Sequence, residues 1–432
     1  MNYTEFVEKE GKRIGLNKVV DLIKKVSGKK VLIYTHDDPD GITSGLILTE
    51  LFEKLGIDYD ILIPETMELE KDRLENDIKK DKYDACFVLD KATMGYYDEY
   101  YKICENFIVI DHHPLIGEKP KKIVVLNPQL HGDYKSCSCS FILHMLYSSF
   151  GFKSKKIDFL NLIGLKGDWA IEPATDYYSD YVLPFIEDVR DNFGFLFEKI
   201  EDEPTLFEVK QRKYTTLLNQ ITEVVFALSG GGFQYFYNDR DESLSDLYQP
   251  IFTYKLLKKI DEEKIFILKK REDFFKLIGD EKALLIWKFY KDDWDKVSGY
   301  FENCVYVDTI NSVDIYMFFG NKIPLMPMIG SVRVYSLPRV KGDEKLLIMV
   351  NNLFENGVHF SFRSTSKNLH CGEIAHELIE EILKFYNYPG EITGGGHPFA
   401  AEARTRKSGV PFIFALQKLL EILKKRKGGE NG

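Results

Sequence analysis

Three short apolar runs, Lys30-Val31-Leu32-Ile33-Tyr34, Ala85-Cys86-Phe87-Val88-Leu89 and Phe107-Ile108-Val109-Ile110, constrain this chain most, because each stops abruptly at Asp or His. A continuously apolar run of this length suits a parallel strand buried on both faces. In an open α/β sheet, ligands bind in the crevice beyond the carboxyl ends of such strands. Residues 35–41 (Thr-His-Asp-Asp-Pro-Asp-Gly), Asp90 and residues 111–114 (Asp-His-His-Pro) are therefore expected in one neighbourhood. Carboxylates gathered there do no packing and repel one another unless cations sit between them.

The intervening pattern alternates between strand and helix. Helical spacing appears over residues 18–26, and again after the Asp-Pro-Asp-Gly turn, where Ile42, Leu46, Ile47, Leu51, Phe52 and Leu55 recur up to Gly56. A second strand is expected at 59–63, a charged helix at 67–80, a strand at 122–126 and helices at 138–150 and 157–165, the last leading into Gly167-Asp168-Trp169. Such alternation implies a parallel, doubly wound sheet. From residue 177 helical stretches dominate (184–192, 206–228, 250–261), broken at Gly230-Gly231-Gly232. Strands return at 304–310, 314–319, 331–335, 346–350 and 357–362, followed by a helix at 374–386, Gly394-Gly395-Gly396-His397 and a last helix at 411–425. The reading is α/β with three parts: a catalytic domain over 1–176, a mainly helical connecting or inserted region over 177–300, and a smaller α/β domain over 301–432 facing the first across a cleft.

The 432 residues exceed one typical core. No run approaches a membrane span and the first residues lack a signal-peptide core, so a cytoplasmic protein is expected. Six scattered cysteines form neither a disulfide framework nor paired zinc knuckles. The net charge of −10 by itself disfavours nucleic acid, but from residue 321 onward 16 Lys and Arg stand against 11 Asp and Glu. Local charge decides what a surface attracts, so the C-terminal part remains compatible with a polyanion.

His36, Asp38, Asp40, Asp90, Asp111, His112, His113 and Asp168 offer oxygen and imidazole donors without a thiolate, a set suited to Mn²⁺ or Mg²⁺. They are too many for one ion. With Asp90 as a shared carboxylate they would serve two ions about 3.5–4 Å apart, the arrangement that activates water and holds a phosphate ester for in-line displacement. An Asp-x-Asp-Gly tetrad alone is commonly just a turn. Its occurrence after an apolar strand, together with the other clusters, favours the metal reading.

At these residues the sequence resembles the DHH phosphoesterases. His-Asp-Asp-Pro-Asp-Gly (36–41), Leu-Asp-Lys (89–91), Asp-His-His-Pro (111–114) and Gly-Asp-Trp (167–169) resemble that family's four motifs in order, and Gly394-Gly395-Gly396-His397 resembles the signature of its C-terminal associated domain. The chain is most similar to archaeal RecJ-like single-strand exonucleases. The resemblance implies that His36, Asp38, Asp40, Asp90, His112 and Asp168 are metal ligands, although some members have Asp at the position of His36. It also implies that His113 contacts the scissile phosphate, that Asp111 orients a His ring, and that Gly394, Gly395, Gly396 and His397 hold substrate phosphate. Arg363, closing a strand in the same domain, is a candidate second phosphate contact. The activity implied is removal of nucleotides from an end of single-stranded DNA or RNA, with basic residues such as Arg333, Arg339, Lys341, Arg404 and Arg406 tracking the phosphates. The alternatives are an oligonucleotide or cyclic-dinucleotide phosphodiesterase and a replication-associated scaffold. Replication or repair proteins are candidate partners, docking on residues 177–300.

Overall fold

The computed structural model describes residues 1–201, 213–366, 368–388, 391–396, 398–406 and 408–428. They form two compact units, Met1–Phe289 and Tyr290–Gly432.

In the first unit, helices α1 (Tyr3–Ile14) and α2 (Leu16–Lys25) precede β1 (Lys30–Tyr34), α3 (Pro39–Leu55), β2 (Asp58–Leu62), α4 (Lys71–Ile78), β3 (Ala85–Leu89), β4 (Phe107–Ile110) and β5 (Val124–Leu126). Helices α5 (Cys139–Ser149) and α6 (Lys155–Gly167) follow. The sheet order is β2-β1-β3-β4-β5 and every pairing is parallel, with Tyr34 beside Val88 and Leu89 beside Ile110. The chain moves one way from β1 to β2 and the other way from β3 onward, so a topological switch point lies between β1 and β3. Both β3 and β4 are wholly buried, as their apolar runs require. Phe87 of β3 meets Phe52 of α3 edge-on with ring centroids 5.2 Å apart, and burying each such ring contributes about 1.5–3 kcal/mol.

Residues 177–289, set apart in the sequence reading, pack within this first unit. Helices α7 (Leu183–Phe193), α8 (Leu217–Ser229), α9 (Gln249–Lys258) and α10 (Arg271–Ile278) carry the segment. Every residue of α8 is buried; α8 lies on α6, and α9 lies on α3 and α8. Polar ties reinforce the packing: the Tyr254 hydroxyl meets Thr49 Oγ1 at 2.8 Å, and Glu262 accepts from Ser154 Oγ at 2.6 Å. The helix expected over 206–228 is shorter. Its first part falls partly outside the described residues; Tyr214–Thr216 is a strand paired with Lys199–Glu201, and α8 starts only after Thr216, whose hydroxyl caps it by accepting from Asn219 N–H.

The division between the units falls inside α11 (Glu281–Tyr300). The second unit contains β6 (Val305–Ile310), β7 (Val313–Asn321), α12 (Met326–Arg333), β8 (Glu344–Asn352), β9 (Val358–Ser364), α13 (Cys371–Leu383), β10 (Ile392–Gly396), β11 (Ala400–Thr405) and α14 (Phe412–Gly428). Its mixed sheet runs β6-β7-β8-β9-β11-β10, parallel only between β7 and β8. Ile315, Ile348, Phe360 and Phe362 pack with Ile374 and Leu378 of α13. The strand expected at 331–335 is instead the end of α12 and its cap. The β-branched residues there suggested a strand, but Met326, Ile329 and Gly330 repeat at helical spacing and bury that face. Gly330 lies so close to β8 that a Cβ would come within 2.1 Å of Met349 Sδ.

Candidate metal centre

The ends of β1, β3 and β4 deliver the acidic and imidazole residues to the switch point. After β1, Asp38 caps α3, its Oδ1 accepting from Gly41 N–H at 2.8 Å, while Pro39 supplies the fixed φ that suits a first helical position. Gly41 is required here, since a Cβ would lie 2.4 Å from the His36 carbonyl oxygen. Asp40 reaches the N-terminus of α5 and accepts from Cys139 N–H at 2.6 Å and Ser140 N–H at 2.9 Å, a charge-assisted anchor that fixes its carboxylate. Asp90 follows β3 in a left-handed backbone conformation, φ 55°, and Asp168 closes α6.

These side chains gather into overlapping groups. His36 Nδ1 is 3.0 Å from Asp38 Oδ2 and 3.8 Å from Asp90 Oδ2. His112 Nε2 is 2.9 Å from Asp168 Oδ2, 3.3 Å from Asp90 Oδ1 and 4.0 Å from Asp40 Oδ2. Asp90 thus turns one oxygen to each group. His36 Nδ1, both oxygens of Asp90, His112 Nε2 and Asp168 Oδ2 are buried without a hydrogen-bond partner among the described residues. Buried polar atoms are almost always satisfied, so a set of orphans facing one another, all metal-ligating atom types, fits divalent cations. Among the described residues three overlapping groups can each hold an ion: His36 with Asp38 and Asp90, Asp40 with Asp90, His112 and Asp168, and Asp90 with His112 and His113.

The electrostatics agree. Burial, then the charges of Asp38 and Asp40, raises the Asp90 carboxyl well above its ordinary range, and burial with Asp168 does the same to Asp40. Burial works against the charged form of His112, yet Asp168 and Asp90 outweigh it and hold the imidazolium well above its usual value. Without cations, the centre retains protons to limit its repulsion.

His113 has a different setting. Its Nδ1 lies 2.8 Å from Asp111 Oδ1, and Asp111 also accepts from Thr93 Oγ1 at 2.6 Å. Burial raises the Asp111 carboxyl, but His113 and Thr93 override it and leave it low, so it is ionised and can only accept. Nδ1 must then carry the hydrogen, which leaves the partly exposed ring its Nε2 edge for a substrate. Asn127 donates to the His113 carbonyl at 2.8 Å and Gln129 to the His112 carbonyl at 2.9 Å, holding the pair from below.

Sequence reasoning did not single out Asp37, Thr93, Asn127, Gln129 or Gly232. Asp37 stood inside the first motif and was open to notice; Gly232 lies against His36 only through tertiary packing.

The remaining candidates belong to the second unit. Arg363 is 6% exposed, and its guanidinium donates to Ser331 Oγ at 2.7 Å, Glu402 Oε1 at 2.9 Å and the Phe362 carbonyl at 2.8 Å. Glu402, also paired with His359, is the charged partner of this guanidinium. Gly394, Gly395 and Gly396 form the edge strand β10, with Gly394 and Gly396 exposed. Packing also demands two of them, since a Cβ on Gly394 would meet Ile379 Cγ1 at 2.6 Å and one on Gly396 the Ala400 carbonyl oxygen at 2.6 Å. His397 lies outside the described residues.

Comparison with known proteins gives a family match over part of the chain and several likenesses of fold. Residues 30–164 match the DHH family, N-terminal domain. An uncharacterized protein of Methanocaldococcus jannaschii is 25% identical over 171 residues, 36% of this chain and 38% of that relative's length. Among solved structures, the DHH domain of a member of the s1p family of ribosomal proteins is similar with a TM-score of 0.63 at 15% identity, covering 98% of this chain and 92% of that one. Exonuclease RecJ bound to manganese is similar with a TM-score of 0.58 at 15% identity, covering 95% and 94%. RecJ from Thermus thermophilus in complex with Mn²⁺ gives 0.57 at 15% identity, covering 95% of this chain and 55% of that one. At such identities the likeness is one of fold.

Proposed function

We infer that this chain, a member of the DHH superfamily by its residues 30–164, is a divalent-metal-dependent phosphodiesterase that removes nucleotides from an end of single-stranded DNA or RNA. The observation that carries this reading is the set of buried, unpartnered donor atoms of His36, Asp90, His112 and Asp168 at the switch point. Mn²⁺ is the favoured ion, since the donors include no thiolate and the RecJ structures of similar fold hold manganese. His36, Asp38 and Asp90 would hold one ion and Asp40, Asp90, His112 and Asp168 another. Bound there, the ions supply neutralisation of phosphoryl oxygens and activation of water.

The chain's own residues do the rest. The anchoring of Asp40 on α5 and of Asp38 on α3 keeps the carboxylates in place as the substrate arrives. His113, steadied by Asp111 at Nδ1, presents its Nε2 edge to the phosphoryl group; as the imidazolium, with a second proton on Nε2, it gives that proton to the departing oxygen and keeps the Nδ1–H. In the second unit, exposed Gly394 and Gly396 offer unobstructed backbone to a phosphate. Arg363 remains with Glu402.

End-labelled single strands of each polarity and sugar type, digested with Mn²⁺, test the reading. Stepwise release of mononucleotides is expected, and Asp90→Ala should lower it by about 10²–10³-fold or more. Undiminished cleavage by Asp90→Ala would sink the assignment. Turnover confined to dinucleotides or cyclic dinucleotides would replace the long-strand substrate with a small one.

A further inference from the structure

Either nitrogen of an imidazole can bind a metal, and the choice is set by what the other nitrogen meets. Three edges of the His36 ring are defined. Nδ1 faces Asp38 Oδ2 at 3.0 Å and Asp90 Oδ2 at 3.8 Å and has no hydrogen-bond partner. Nε2 faces Asp37 Oδ1 at 3.4 Å. Between them, Cε1 is covered by Gly232, whose Cβ, if it had one, would sit 2.9 Å from Cε1 and 3.4 Å from Nε2. The φ of +76° at Gly232 and the absence of a Cβ together let that loop close on the ring.

Asp37 is fully buried, and among the described residues neither of its oxygens has a hydrogen-bond partner. Lys91, the neighbouring buried cation, gives its ammonium to the Thr66 and Pro64 carbonyls. A carboxylate taken out of water without a partner is costly, and this one faces the ring edge turned away from Asp38 and Asp90. We propose that Asp37 is a positioning residue for His36: it accepts the Nε2–H, fixes the tautomer with the Nδ1 lone pair directed at Asp38 and Asp90, and so makes His36 a metal ligand through Nδ1. A carboxylate behind a ligating histidine both orients the ring and raises its basicity. It also places a negative charge next to a ligand that carries none. This inference rests on the metal-centre reading above.

The test uses the full chain with ¹⁵N-labelled histidine. With diamagnetic Mg²⁺ bound, the His36 nitrogen shifts, assigned by their loss in His36→Asn, should report the Nε2–H tautomer, and Asp37→Leu should shift them towards the other tautomer. Mn²⁺ titration followed by electron paramagnetic resonance of the free ion should show one class of site weakened about 10–100-fold in Asp37→Leu, with the other class kept. Leucine of similar volume relieves the buried charge, so the variant should fold; Asp37→Asn, which keeps the shape, should weaken the same class by a smaller factor. An Nδ1–H tautomer in the Mg²⁺-bound unaltered chain, or isotherms unchanged in both variants, would overturn the proposal. Equal loss at both classes of site would also count against it. No Mn²⁺ uptake by the unaltered chain would instead bring down the metal-centre reading itself.

Discussion

Asp90 combines a left-handed φ of 55° with two buried oxygens that find no hydrogen-bond partner. Each is unfavourable for folding, and such costs persist where a site uses them. Asn tolerates the same backbone and carries no charge. Asp90→Asn should therefore stabilise the metal-free chain by about 1–2 kcal/mol while abolishing the rise in Tm on adding Mn²⁺, measured by thermal unfolding with and without the ion. Asp37 makes the pH dependence concrete, since burial lifts its carboxyl from 3.8 to about 6. A carboxyl raised in the folded state binds more protons there than in the unfolded chain, so stability falls as pH rises from about 4 to about 6, by about 3 kcal/mol for this group. His36 and His112, raised against the drag of burial by their carboxylate neighbours, act with the same sign: their stabilisation is present below about 6.5 and lost as pH climbs through their raised values. Asp111, held low, works in a separate window below 3.8, where stability is lost as pH falls. Denaturant titrations of the metal-free chain should accordingly show lower stability at pH 7.5 than at pH 5, and saturating Mn²⁺ should reverse that order. Asp111→Asn frees the His113 ring, and a drop of about 10²–10⁴-fold in kcat with little change in KM is expected from steady-state kinetics.

At the scale of elements, the centre depends on how closely α6 approaches α3. A Cβ on Gly164 would meet Ser140 Oγ at 2.1 Å and Asp40 Oδ1 at 2.7 Å, so this helix glycine is fixed by the carboxylate it lets pass. Gly164→Ala should cost about 1–3 kcal/mol by overpacking and weaken Mn²⁺ binding through Asp40, both readable in one calorimetric titration series. The strands show why the sequence reading of the first sheet succeeded: β3 and β4 are buried on both faces, and that demand writes an unbroken apolar run. Where packing rather than pattern decided, the reading erred. The 331–335 segment has β-branched residues and still ends a helix, because Gly330 fits under Met349. The Gly230–Gly232 break shows nothing in sequence of its contact with His36.

At the scale of the molecule, two cores and one cluster of charge set the stability. The acidic and imidazole cluster lies wholly in Met1–Phe289, whereas Tyr290–Gly432 has its own apolar core around β7, β8 and β9. Differential scanning calorimetry should resolve two transitions. Mn²⁺ at one hundred times its Kd should stabilise the first unit by about 2.7 kcal/mol for each site it fills and leave the other where it is. Chelation should abolish both that shift and the cleavage of labelled strands.

The sequence by itself determined the doubly wound first sheet, the positions of its strand ends and the residues capable of binding metal, because burial on two faces and metal ligation each tolerate few residue types. Only the tertiary structure decided that Asp90 turns an oxygen to each side, that Asp111 belongs to His113, that Arg363 is engaged by Glu402, and that Asp37 and Gly232 close on His36. Those are matters of angle and neighbour, fixed by how helices and loops pack over the sheet, and no residue announces along the chain which other will lie across from it.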